Sequence, residues 1–473
     1  MASAGSAGAA SIDISVVDRE RERMPLPATF WGRIRRASIM HPRLHSTRFA
    51  HNVTQRVVGR RHWIPPGAFA FGQLAHGASW IVGIAAALSL ANGDGGWQLA
   101  WVHIVVLGWF TAIAFGVLLH ALPAFTDGYW RAEALARFSI FGFCVGVVGM
   151  AAAFATASPW LLYAGFTTAL FACIYIAAAL ATLWKPLLQG GVESAVAGAF
   201  ALTLVLLLAT VALGCGLVLM RVGEPMPWWI VRVPEIHAVL GSVGWLSLLV
   251  FGVSMRTLRR ITGVGPTNGR RHIATGALTL LAVLFIVSGL AVASIPLVWI
   301  GALCFGVGSL FYVRDAIVRL RNATVRHRLP QAFAIASVLW LLVALVLGAA
   351  ALAGRATPDA YLFVLLLGWI GQMVNAHVYH IGVRLIATIY RGDDDETQPE
   401  SLLSPILGWL SLTCFQLGIA LVTLGLLATN EAATVTGFAA GFLGWSAMCA
   451  NLLVARRRAM IAEAYSMGEV RAS

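Results

Sequence analysis

Residues 101–125 read WVHIVVLGWFTAIAFGVLLHALPAF, with no Asp, Glu, Lys or Arg anywhere in the run. About 20 apolar residues suffice to cross the hydrocarbon of a bilayer as a helix, so this stretch predicts a membrane span. Its surroundings agree. The chain has 473 residues, of which 59% are hydrophobic and 11% charged, whereas soluble domains carry about 25% charged residues. Such a composition could not cover a surface in water. It excludes a soluble enzyme, a nucleic-acid-binding domain and a disordered chain, and leaves an all-α polytopic membrane protein. The formal net charge of +13 is then a matter of which side the cations face; Lys185 is the one lysine, so nearly all of it is arginine.

Eleven further stretches resemble the first, giving twelve spans at roughly 66–90, 98–122, 137–157, 159–183, 193–220, 236–255, 273–293, 295–314, 331–353, 360–385, 404–427 and 432–454. The connections alternate. One set (91–96, 157–159, 221–235, 294–296, 354–359, 429–433) is short and poor in arginine; the other holds Arg131, Arg137, Lys185, the arginines of 256–271 and 314–328, Arg391 and Arg456 to Arg458. Positive residues stay on the cytoplasmic side. Twelve crossings with both termini cytoplasmic in a bacterial-type inner membrane satisfy both the charge bias and the even parity. Residues 1–62 read as an Arg-rich cytoplasmic tail, mostly disordered, without a signal peptide. Residues 63–455 form the membrane domain, and 456–473 a cytoplasmic C-terminal tail. Within the first tail, FWGRIRR at 30–36 mixes aromatics with arginine in a way suited to an anionic membrane surface. The six cysteines stand singly in apolar stretches and read as small apolar filler.

The opening stretch has two counterparts. Residues 236–258 read IHAVLGSVGWLSLLVFGVSMRTL and 361–385 read YLFVLLLGWIGQMVNAHVYHIGVRL. Each holds a Gly-Trp pair (Gly108-Trp109, Gly244-Trp245, Gly368-Trp369), a small residue eight positions after the glycine (Gly116, Gly252, Ala376), and His120, Arg256 or His380 twelve positions after it. The three fall in spans two, six and ten, so the chain reads as three pseudo-repeated four-helix units.

By this placement every Asp and Glu lies in a tail or loop. The ionisable groups left inside the membrane are imidazoles: His76, His103, His120, His237, His377 and His380. Such groups are costly there and mark functional sites. A neutral imidazole is also a ligand for haem iron, copper and zinc. His103 and His237 lie near the outer starts of spans two and six; His120, His377 and His380 lie near the inner ends of spans two and ten. His103 and His120 are 17 residues apart, about 25 Å along a helix, and cannot share one metal. His377 and His380 are i,i+3 neighbours that could. The plainer expectation for each imidazole is a hydrogen bond to a backbone carbonyl or a Ser or Asn partner. His272 and His327 are expected in basic loops. Arg256, Arg259, Arg260, Arg270 and Arg271 could face haem propionates or lipid phosphate, or simply hold the inner side.

Twelve helices with histidines on two, six and ten resemble subunit I of the haem-copper oxidases, in which His103 would match a haem ligand and His237 a copper ligand. Two departures stand out. Helix seven holds only His272, at its inner end, where that family has two adjacent copper-binding histidines, and residues 361–365 contain none where it has His-x-His. These departures argue against a terminal oxidase. The chain is more similar to NnrS-type membrane proteins, a twelve-helix group implicated in haem and copper binding and in nitric oxide stress. One motif of that group is similar to the run from His103 through Gly108-Trp109 and on to Gly116, His120 and Pro123; another is similar to His237-Ala238 through Met255-Arg256 to Thr267-Asn268-Gly269. Trp101 stands where that family has an additional histidine, which counts against copper. The resemblance implies haem b, with copper as a further metal, a redox or nitric oxide role, an outer ligand pair His103 and His237, and an inner site of His120, His377 and His380. A cofactor-free transporter and an accessory factor that delivers haem or copper remain alternatives.

Overall fold

The computed structural model describes residues 64–472 other than 91–94, 127–129, 190, 222, 224–231, 266–268, 326 and 392–398. The expected N-terminal tail, with His41, His45, His51 and His62, lies outside the described residues, as does the side chain of His120. Among the described residues, twelve helices are long and apolar enough to cross a membrane, making this a multi-pass, all-α membrane protein whose outer surface meets lipid. They are α1 (Ile64–Leu90), α2 (Gly96–His103, Ile104–Thr111 and Ala112–Thr126), α3 (Glu133–Ala155), α4 (Leu161–Gln189), α5 (Gly191–Arg221), α6 (Val233–Val239, Leu240–Ser247 and Leu248–Thr262), α7 (Gly269–Ala291), α8 (Ile295–Arg321), α9 (Arg328–Leu352), α10 (Pro358 to Arg391), α11 (Pro405–Leu427) and α12 (Glu431–Ala472). α12 runs on past residue 455, so the C-terminal segment continues the last span.

Hairpins of successive helices build the bundle. The end at which α1 begins is the inner end in the orientation that the arginines predict. At the outer end, α3–α4, α7–α8, α9–α10 and α11–α12 close by one device. A residue just after each helix is left-handed (Ala157, Ala293, Gly354, Thr429; φ 48°, 52°, 68° and 50°). The next N–H then reaches back five residues, Ser158 to Ala153, Ser294 to Gly289, Arg355 to Ala350 and Asn430 to Gly425, at 2.7–2.9 Å. This is the Schellman closure. α6, α8, α10 and α11 carry Pro in the first turn, where the missing N–H has no partner to lose.

α2, α6 and α10 form the interior. In α10, 78% of the most apolar window is buried, against 28% in α5, α7, α8 and α9. Each of the three central helices relaxes into a π-helical stretch around its Gly-Trp pair: Ile104–Thr111, Leu240–Ser247 and Val364–Ile370. A side chain at the end of each stretch takes a carbonyl five residues back: Thr111 Oγ1 to Val106 (2.8 Å), Ser247 Oγ to Ser242 (2.6 Å) and Gln372 Nε2 to Leu367 (3.2 Å). Each glycine admits the preceding helix. A Cβ at Gly108 would touch Ala75 of α1, at Gly244 Leu206 of α5, and at Gly368 Trp340 of α9, at 3.0–3.4 Å. The buried tryptophans link the three to one another. Trp245 Nε1 donates to Thr111 Oγ1 at 3.1 Å, the Trp109 ring lies 3.0 Å from where a Cβ on Gly371 would stand, and Trp369 packs on Phe251 with ring centres 5.0 Å apart. These contacts run α6 to α2, α2 to α10 and α10 to α6. Outside this ring, α1 and α12 meet: Trp445 Nε1 donates to the Gln73 carbonyl at 2.7 Å, and Gly77, Gly83 and Gly441 leave room for Trp445, Phe438 and Trp80.

One expectation is corrected. Asp315 is not in a loop: α8 runs seven residues beyond 314, and Asp315 and Arg319 are buried on one face of it at 3% and 0% exposure. Arg319 Nη2 lies 2.5 Å from Asp315 Oδ2 and donates to His272 Nε2 at 2.8 Å, which places the imidazole proton on Nδ1. His272 is likewise buried in the first turns of α7 rather than in a loop. The helix continues because Arg314 faces outward while the charges one turn apart satisfy each other.

This geometry makes two predictions about stability. Asp315→Asn strands a buried guanidinium and should cost about 3–5 kcal/mol, much of it recovered in the Asp315→Leu/Arg319→Met double variant; thermal unfolding in detergent reads both. Ala293→Gly relieves a left-handed alanine and should raise stability by about 0.5–1 kcal/mol on the same assay.

Candidate functional site

Two imidazoles from central helices meet in the outer half. The rings of His103 (α2) and His237 (α6) have centres 6.5 Å apart with planes 25° from parallel. Each is fixed through Nδ1. His103 donates to Leu99 O one turn back at 2.7 Å; His237 donates across to Thr210 O of α5 at 3.0 Å. With Nδ1 carrying the proton, Nε2 of both rings holds a lone pair. Phe154 of α3 lies against His103, ring centres 4.8 Å apart, and the Arg221 guanidinium sits 6.0 Å from the centre of the Phe154 ring. Gly214 of α5 seats His237: a Cβ there would come within 3.2 Å of Cε1.

The inner half is built differently. His377 is engaged at both nitrogens, donating from Nδ1 to Met373 O at 2.6 Å and accepting at Nε2 from the Thr257 hydroxyl of α6 at 2.5 Å. His380 begins the next turn, inside a second π-helical stretch, Val378–Gly382. It faces His327, ring centres 5.5 Å apart and near-perpendicular, and His327 donates to Glu400 Oε1 at 2.5 Å. His327 thus joins the site from the start of α9, although its sequence surroundings are those of a loop residue. Arg260 and Arg384 lie within electrostatic reach of His380; on the part of α6 past Ser254, outside the membrane span, burial, Arg384 and Arg259 push the Arg260 guanidinium below its ordinary pKa. The inner histidines therefore sit in a hydrogen-bonded, cationic group, and any metal taken by His377 would first displace Thr257. Among the described residues, no three or more His, Cys, Asp or Glu side chains are arranged to hold a metal ion.

His76 (α1) departs from the plain expectation. It is fully buried, and neither ring nitrogen has a hydrogen-bond partner. Its faces are covered instead, by Trp109 (ring centres 3.4 Å, planes 8° apart) and Phe415 (5.3 Å, 13°).

Fold and site together define a multi-pass membrane protein with a pair of neighbouring imidazoles between two of its central helices. No protein-family model matches the chain, and no curated protein matches it.

The His377–Thr257 bond ties α10 to α6. Thr257→Val should cost about 1–2 kcal/mol, because a buried acceptor loses its donor, and Thr257→Ser should restore most of it; thermal unfolding of the three proteins checks the order.

Proposed function

We propose that the chain is a haem-binding membrane protein in which His103 and His237 would hold the iron. The observation that carries this is the outer pair. A metal–nitrogen bond is about 2.0–2.1 Å, so two imidazoles that share one ion have ring centres no more than about 6–7 Å apart. The observed 6.5 Å suits that arrangement. Both Nδ1 atoms are tied to carbonyls, the usual way of orienting a histidine ligand. Zinc asks for three or four protein ligands, whereas a haem iron needs only axial ones; a two-histidine site therefore favours haem. Arg221, beside Phe154, would supply positive charge for the haem carboxylates. When bound, haem supplies one-electron redox chemistry. The likeness to NnrS-type proteins extends the reading to redox or nitric oxide handling, with copper as the alternative metal.

The distribution of arginine supports a bacterial inner membrane with both termini in the cytoplasm. The shared contacts of α2, α6 and α10 support the reading of the chain as three four-helix units. Asp315 does not favour a carboxylate-coupled transporter, because Arg319 and His272 already occupy it.

The visible spectrum of the detergent-solubilised, haem-supplemented protein, with metal analysis, tests the reading. Wild type should show a Soret band that His103→Ala and His237→Ala each shift or abolish, and Gly214→Val should disturb it by pushing on His237. A colourless preparation ends the haem reading. A band untouched in both histidine variants ends the ligand assignment.

A further inference from the structure

His76 is the strongest feature outside that pocket. A neutral imidazole has one donor and one acceptor, and burying both unmatched is expensive. It is not alone. Gln73, one turn inward on α1, has both amide atoms buried without partners, and so does Asn375 on α10. Asn375 belongs with them by position. It lies one turn inward of Gly371, which faces Trp109, and of Gln372, whose Oε1 accepts from Gln416 of α11 at 2.8 Å. It therefore faces the space between α2 and α11, and Trp109 and Phe415 from those two helices sandwich His76. A further turn inward, the Tyr379 hydroxyl sits beside Ser411. Polar side chains thus step from mid-depth toward the inner end.

The outward direction is different. Trp101 of α2, Phe363 of α10 and Phe438 of α12 pack together with ring centres 5.8–6.1 Å apart, and Phe438 also packs on Trp80, one turn outward of His76. This aromatic layer separates His76 from the outer end. The rings against His76 itself are Trp80, Trp109 and Phe415, none of them titratable.

Buried polar groups that lack protein partners are commonly served by ordered water, which makes about three hydrogen bonds. We propose that His76, Gln73 and Asn375 enclose a cluster of bound water at mid-depth, and that this cluster opens His76 to proton exchange with the inner side only. His103 lies six residues outward of Trp109, and His377 six residues inward of Gly371, about 9 Å each way. His76 is thus the middle rung of an imidazole ladder whose lower half is wet and whose upper half is dry. The site needs no cofactor, so it stands or falls apart from haem binding.

The test is magnetic resonance of the full chain, labelled with ¹⁵N-histidine, in lipid nanodiscs, using water itself as the probe. His76→Phe assigns the signal by its loss. The wild-type imidazole N–H should exchange magnetisation with water, and Asn375→Leu should slow this about tenfold, the equivalent of one lost water bridge. Gln73→Leu is the second variant, should Asn375→Leu not fold, and should slow it likewise. Phe438→Leu, on the outer layer, should leave the rate unchanged. A wild-type His76 signal that never exchanges overturns the proposal, as does a rate indifferent to the inner variants.

Discussion

Three tryptophans, each reaching from one central helix to another, make the contacts on which the rest of this bundle depends. An indole is too large to enter between regular helices at close approach, and α2, α6 and α10 admit one each by loosening a turn where a glycine precedes the ring. The π-helical geometry frees carbonyls that would be expensive to leave bare in hydrocarbon, and Thr111, Ser247 and Gln372 take them up. Thr111 does both tasks, donating to Val106 and accepting from Trp245, so one hydroxyl repairs its own helix and fastens the next. With the backbones fixed in rotation, the imidazoles on the same helices inherit their directions. That is why His103 and His237 face each other, and why His377 meets Thr257.

Much of this is legible in the residues. Apolar length marks the spans, and the Gly-Trp register singles out the three helices that prove to be central. Counting along those helices puts His103 and His237 at one depth, which is where they meet. What cannot be read is local. A π-helical turn keeps the composition of an α-helix, so hydropathy passes over it; in α2 and α6 the Thr or Ser three residues after the glycine is the available sign. The charge at Asp315 reads as the end of a helix, yet Asp-x-x-x-Arg at 315–319 is an i,i+4 pair, an arrangement that lets charge continue a buried face. His327 escapes because its role depends on Glu400, 73 residues away.

The two halves of the bundle treat imidazole in opposite ways. At the outer pair each ring spends one nitrogen on a carbonyl and keeps the other open. At the inner end a hydroxyl engages His377 and a carboxylate engages His327, while guanidinium groups lie near His380. Between the two, His76 is held by stacking alone, an arrangement that fixes the plane of a ring while leaving its edge uncommitted. Donor chemistry is therefore graded along the bundle, although the residue type is the same throughout.

The seam between α1 and α12 carries a consequence for assembly. Among the described helices α1 packs against α12, so the wall around His76 stays open until those late helices are inserted: Phe415 arrives with α11 and Trp445 with α12. The outer pocket has no such wait, since His103, Phe154, Gly214 and His237 all lie within the first six helices. During synthesis the paired imidazoles can come together once α6 is in place, whereas the mid-depth histidine is enclosed only when α11 and α12 join α1.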